Sequence, residues 1–186
     1  MTSILEVEQL DTLSSNASST ITIGGTNTTT IAFGPNVTTT PSSLAMTPAF
    51  SVKASSDQTG IADNSITLAQ LNSEDYDTDS AFNTSTYKFT VPSGKAGKYY
   101  FYYASGMSGN PDDGEKVSVR LYKNGSGVSR SVVISYVSAA NQTTEVGRSY
   151  ILDLAEGDYV SVYMNHNEGS SNSDAVVSFG GCKIGA

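Results

Sequence analysis

The sequence has no tryptophan, a single cysteine, a single histidine and only ten lysines and arginines in 186 residues. Each scarcity closes a class of function. One cysteine, Cys182, cannot build an intrachain disulfide framework. It falls inside an alternating, strand-like segment, which predicts a buried and chemically quiet thiol. One histidine, His166, leaves no pair of imidazoles for a metal, and no serine stands in a nucleophile-elbow pattern. His166 sits in the polar run Asn165 to Asp174 and is expected to be a solvated loop residue. With no convergent set of reactive groups, the chain reads as a non-enzyme. Ten basic residues against 18 acidic ones give a net charge of −8. That balance opposes nucleic-acid binding, because phosphate recognition needs a basic face. No apolar run is long enough for a transmembrane helix, so membrane insertion is not expected. The opening MTSILEVEQL lacks the basic-then-apolar architecture of a secretory signal. An extracellular location would then be reached by release within a particle.

What is abundant points to strands. Eleven tyrosines, with many threonines, serines and valines, favour extended structure over helix. Tyr87 to Val91 alternates aromatic or branched residues with polar ones, and Pro92, Gly94 and Gly97 then break the pattern as turn residues do. Tyr99 to Tyr103 is aromatic at every position. Successive side chains of a strand point to opposite faces, so Tyr99, Phe101 and Tyr103 go one way and Tyr100 and Tyr102 the other. One set can fill a core. The other would meet water in a monomer and calls for a partner. Tyr159 and Tyr163 alternate with Val160, Val162 and Met164 in the same manner. Tyrosine offers large contact area at little entropic cost, so Tyr100, Tyr102, Tyr159 and Tyr163 are the expected subunit interface. Val117, Val119 and Leu121, Val132, Ile134 and Tyr136, and Tyr150, Leu152 and Leu154 complete the expected core.

The N-terminal quarter differs in composition. Residues 1–14 place Ile4, Leu5, Val7, Leu10 and Leu13 among polar positions, as an anchoring peptide would. Residues 15–46 are dominated by Ser, Thr, Asn and Gly and contain a ten-residue repeat. Thr20-Ile21-Thr22-Ile23-Gly24-Gly25 is echoed by Thr30-Ile31-Ala32-Phe33-Gly34-Pro35. Two short repeats cannot bury their apolar residues alone, so Ile21, Ile23, Ile31 and Phe33 are expected to pack between chains in a β-repeat stem. Residues 47–186 form the head. Within it Asn110, Asp112, Asp113 and Glu115 offer hard oxygen ligands in a Gly-rich loop, a possible calcium site or a solvated acidic turn. Asp75, Asp77 and Asp79 make a second acidic cluster with the same two readings.

Several segments in order resemble the C1q-like globular domain of the complement and tumour necrosis factor superfamily. They are the strand PAFSVKA, the Phe89-Thr90-x-Pro92 step with Gly97 and Tyr99-Tyr100-Phe101, VSVRLYKNG, LDLAEGDYVSVYM and the closing VSFGGCKI. The resemblance spans about Thr47 to Ala186. It implies an all-β, ten-stranded-type jelly-roll sandwich and a threefold homotrimer, and some members of the family bind calcium in the head. No Gly-X-Y stalk precedes the head, which points away from a complement-type role. The stem looks like the attachment regions of bacteriophage virion and tail-fibre proteins. Together these imply a structural virion protein (a fibre, tail appendage or capsid decoration) displayed on the particle surface. It would be joined to other virion proteins through its N-terminal segment and would touch a host glycan or receptor. The alternative is a soluble C1q-like protein that recognises carbohydrate or a cell-surface ligand.

Overall fold

Two antiparallel sheets divide the aromatic residues by strand parity. The computed structural model describes residues 46–108, 112–140, 142–167 and 173–185. Thirteen strands form among them: β1 (Ala49–Lys53), β2 (Gln58–Ile61), β3 (Thr67–Leu68), β4 (Ser73–Asp77), β5 (Phe82–Asn83), β6 (Lys88–Thr90), β7 (Gly97–Ser108), β8 (Lys116–Lys123), β9 (Ser126–Gly127), β10 (Val133–Tyr136), β11 (Thr144–Leu154), β12 (Tyr159–His166) and β13 (Ser173–Gly185). Three of these, β3, β5 and β9, are two-residue bridges, which leaves ten strands of three residues or more. The first sheet runs β11-β7-β13-β1-β4, with β2 also on β13. The second runs β10-β8-β12-β6-β5, with β3 on β12 and β9 on β8. No described residue is helical. The all-β jelly-roll expectation holds.

The aromatic strand explains the register. Tyr99, Phe101 and Tyr103 are 0–1% exposed and face the second sheet, whereas Tyr100 and Tyr102 face outward. Phe50, Phe82, Phe89, Tyr99, Phe101 and Phe179 make one ring cluster, with the centroids of contacting pairs 4.7–6.3 Å apart. Edge-to-face and offset contacts of this kind add to the burial of large apolar surface. The two buried phenols do not go unpaired. Tyr99 donates to the Lys95 carbonyl at 2.6 Å, and Tyr103 donates to the carbonyl of Ser131. Burial pushes both hydroxyls up to about 12, so both stay neutral donors. Val117, Val119 and Leu121 and Val160, Val162 and Met164 are buried as their alternation predicts.

Two expectations fail for physical reasons. Val132, Ile134 and Tyr136 are exposed, at 36%, 48% and 62%, and the neighbouring Val133 turns inward instead. Strand β10 is a sheet edge that pairs only with β8, in a register that sets Val133 opposite Val119. Shifting a strand by one residue exchanges its faces, and VVISYV is apolar in both phases. His166 is not a loop residue. It ends β12, is 3% exposed, and its Nε2 lies 2.9 Å from the Ile61 carbonyl, so that nitrogen carries a proton. The anchoring peptide 1–14 and the stem residues Ile21, Ile23, Ile31 and Phe33 lie outside the described residues.

Candidate interaction surfaces

The outward face of the first sheet is built from β7 and its neighbours. Register sets Tyr100 between Ile151 and Cys182, and Tyr102 between Ser149 and Gly180. Tyr100 and Tyr102 are 38% and 37% exposed, Ile151 is 56% exposed, and Tyr76 on the far side is 52% exposed. Small residues keep the surface flat. Gly147 lies opposite Ala104, and a Cβ on Gly180 would run into the Tyr102 ring. The ring is thus laid over the glycine backbone, and its hydroxyl hydrogen-bonds Ser51 Oγ at 2.9 Å. Ser51 also donates to Asp75, which pairs with Lys53 at 2.5 Å. The hydrogen bonds from Lys53 and then Ser51 hold the Asp75 carboxyl below the usual carboxylate range. A ring clamped at both ends presents a fixed apolar surface to a partner. Gly180→Ala is expected to cost about 1–3 kcal/mol by overpacking. Denaturant titration checks this, and most of the loss should vanish in a Tyr102→Ala background.

Tyr159 and Tyr163 lie elsewhere. They point from β12 out of the second sheet, so the sandwich core separates them from Tyr100 and Tyr102. The structure therefore brings the four tyrosines together in two pairs on two opposed faces. Tyr122, the next outward position after Arg120 on β8, joins the second pair, its ring centroid 4.0 Å from that of Tyr163. Lys88 Nζ lies 4.3 Å over the Tyr159 ring. Burial, followed by the neighbouring Tyr122 and Tyr159, pushes the Tyr163 phenol up. The sequence signal for Tyr122 was present in the alternation Lys116, Ser118, Arg120, and extending it by one step finds the residue.

A hairpin fixes one end of this face. Asn124 and Gly125 have φ values of 51° and 79°, the left-handed pair that a two-residue hairpin turn demands. Asn124 bonds Asp158 through its side-chain nitrogen at 2.6 Å and accepts from the Tyr159 amide at 2.9 Å. Asp158 also pairs with Lys123 at 2.7 Å and accepts from the Ala155 amide at 2.8 Å. The Lys123 bond, then that of Asn124, lowers the Asp158 carboxyl from 3.8 to about 2. The folded value lies below the unfolded one, so its contribution is complete above about 3.8 and is lost as pH falls toward 2. Asp158→Asn is expected to flatten the acid limb of the stability profile in that window. At neutral pH it should cost about 1 kcal/mol, because solvent screens the pair.

The remaining sequence candidates form no chemical centre. Asp112 and Asp113 are exposed, and Glu115 folds back to accept from the Asp112 amide at 2.8 Å. Asn110 lies outside the described residues. Among the described residues no three His, Cys, Asp or Glu side chains gather closely enough to hold a metal ion. Asp77 accepts from the Asp79 and Phe82 amides, and Asp79 pairs with Lys95 at 3.5 Å, so these carboxylates stabilise a turn. Cys182 is half-buried on the outward face of the first sheet, and burial raises its thiol pKa. Beside His166, a cavity of about 10 Å³ is lined by Ile61, Ser105, Met107, Val117 and Met164, which is room for a single water. No helix among the described residues is long and apolar enough to cross a membrane.

A family model described as the C1q domain matches residues 49–182. The solved globular domain of zebrafish complement 1qA protein is 21% identical with a TM-score of 0.53, covering 74% of this chain and 97% of its own. The PRD1 vertex protein P5 is 18% identical with a TM-score of 0.50, covering 73% of this chain and 96% of its own. At these identities both likenesses concern the fold alone. No curated protein matches the sequence.

Proposed function

Because the chain belongs to the C1q domain family, we propose that it is a structural protein of a bacteriophage particle, a fibre, tail appendage or capsid decoration that displays a homotrimeric head. The observation that carries this reading is the flat, open aromatic face of the first sheet in a domain that folds like a vertex protein. Apolar patches of this kind, rimmed by charge, mark association surfaces. Tyr100, Tyr102 and Ile151 supply one such surface, and Val132, Ile134 and Tyr136 supply a second at the β10 edge. Two different patches on one chain suit a head-to-tail contact, which closes into a ring when the rotation is one third of a turn. Tyr159 and Tyr163 lie across β8 from the β10 patch, on the outward side of the second sheet, and are left for another partner.

The stem residues Ile21, Ile23, Ile31 and Phe33 would pack between chains of the assembly. Residues 1–14 would dock on other virion proteins. The head, held at the particle surface, would touch a host glycan or receptor by non-covalent contacts that multiplicity strengthens. Likeness to a complement head supports a second reading, a soluble recognition protein with no particle attached. Immunogold labelling with an antibody against the head separates the two. Gold on the surface of purified particles is the expected result. Label confined to the soluble fraction, with particles bare, would favour the second reading.

A further inference from the structure

Charge is divided unequally between the two sheets. The strands of the second sheet contain Lys88, Lys116, Arg120 and Lys123 and no aspartate or glutamate. The strands of the first sheet carry six acids, Glu74, Asp75, Asp77, Glu145, Asp153 and Asp174, against the four bases Lys53, Lys98, Arg148 and Lys183. In a chain of net charge −8, the strands of the second sheet are free of acid, and Asp158 in the turn before Tyr159 pairs with Lys123 alone among their cations. On its outward face, tyrosine rings surround a polar floor. Ser161 is 1% exposed, with Tyr159 and Tyr163 two residues to either side on β12 and Tyr122 opposite it on β8. Arg120 is the register partner of Tyr163, and its guanidinium has no ion pair or hydrogen bond among the described residues. At the other end Lys88 covers the Tyr159 ring. The order across the face is cation, ring, ring, ring, cation.

We propose that this face is a binding platform for a carboxylated saccharide chain. The apolar C–H face of a pyranose packs on a phenol ring, and three adjacent rings offer room for successive sugars. Arg120 presents a planar fork that matches a carboxylate in two parallel hydrogen bonds. Lys88 offers a second positive site at the Tyr159 end of the row. A neutral glycan would use the rings and leave both cations idle, and an apolar protein partner would bury Arg120 without a counter-charge. The inference rests on the proposed reading only in that the head must be free to meet a host surface.

The test is calorimetric titration of the full chain with two acidic probes, a hyaluronan octasaccharide and an oligomer of sialic acid, and with the neutral chitin hexamer. Native mass is measured on every sample, so loss of binding is told apart from loss of assembly. At least one acidic probe is expected to bind, with the chitin hexamer weaker. Arg120→Gln and Tyr163→Ala should each lower affinity about tenfold or more, while Arg148→Gln, the same charge change on the other sheet, leaves it unchanged. Absence of binding by both acidic probes overturns the proposal, as does equal loss in Arg148→Gln, which would mean attraction by net charge alone. A fall in native mass in Arg120→Gln also overturns it, since the face would then be a subunit contact.

Discussion

Replacing Ile151 by aspartate is expected to leave the full chain a folded monomer of 19.5 kDa. Ile151 is 56% exposed and lies beside Tyr100 on the open face of the first sheet. Within one chain its substitution should matter little, because surface changes away from caps and cores stay within about 0.5 kcal/mol. Across a subunit contact the same change buries an unpaired carboxylate, at a cost of about 2–5 kcal/mol for each interface. A closed ring meets that cost at every contact. Light scattering should therefore report the monomer mass while circular dichroism stays that of the parent protein. An unchanged mass would remove Ile151 and its neighbours from the interface.

Phe101→Ala is expected to have the largest effect on stability. Its ring contacts Phe50, Phe89, Tyr99 and Phe179, with centroids between 5.5 and 6.3 Å, and is fully buried. Deleting such a ring costs about 3–5 kcal/mol, because neighbours locked in their own contacts relax only partly into the cavity. A domain whose total stability is on the order of 5–15 kcal/mol would lose a large share of it. Chemical denaturation should show the midpoint falling with little change in slope. A loss below 1 kcal/mol would mean that the cluster collapses around the gap more freely than its packing suggests.

The fold was legible where alternation was strict. From Val117 to Leu121 and from Val160 to Met164 every second residue is aliphatic or Met, so the inward face has one solution. The resemblance in Phe89-Thr90-x-Pro92 and Tyr99-Tyr100-Phe101 then supplied the topology that periodicity alone does not contain. Strand β10 was not legible, because Val132 to Val137 has apolar residues in both phases and only pairing with β8 chooses between them. His166 was misplaced because the polar residues after it suggested a loop, while its carbonyl partner, Ile61, is far away in sequence. The two faces of tyrosines were each readable from their own strands. That they lie on opposed sheets depends on long-range strand order, which no local pattern encodes. The basic character of the second sheet was hidden for a similar reason, since a net charge averages over both faces.

The measurement that bears most directly on the account is native mass by light scattering, on the full chain and on residues 47–186. The account predicts about three times the 19.5 kDa of one chain for the full protein, and a trimer also for the head alone. A trimer formed only when residues 1–46 are present would move the assembly device into the stem. Monomers in both samples would leave the open tyrosine face of the first sheet without a partner and would contradict the displayed trimer.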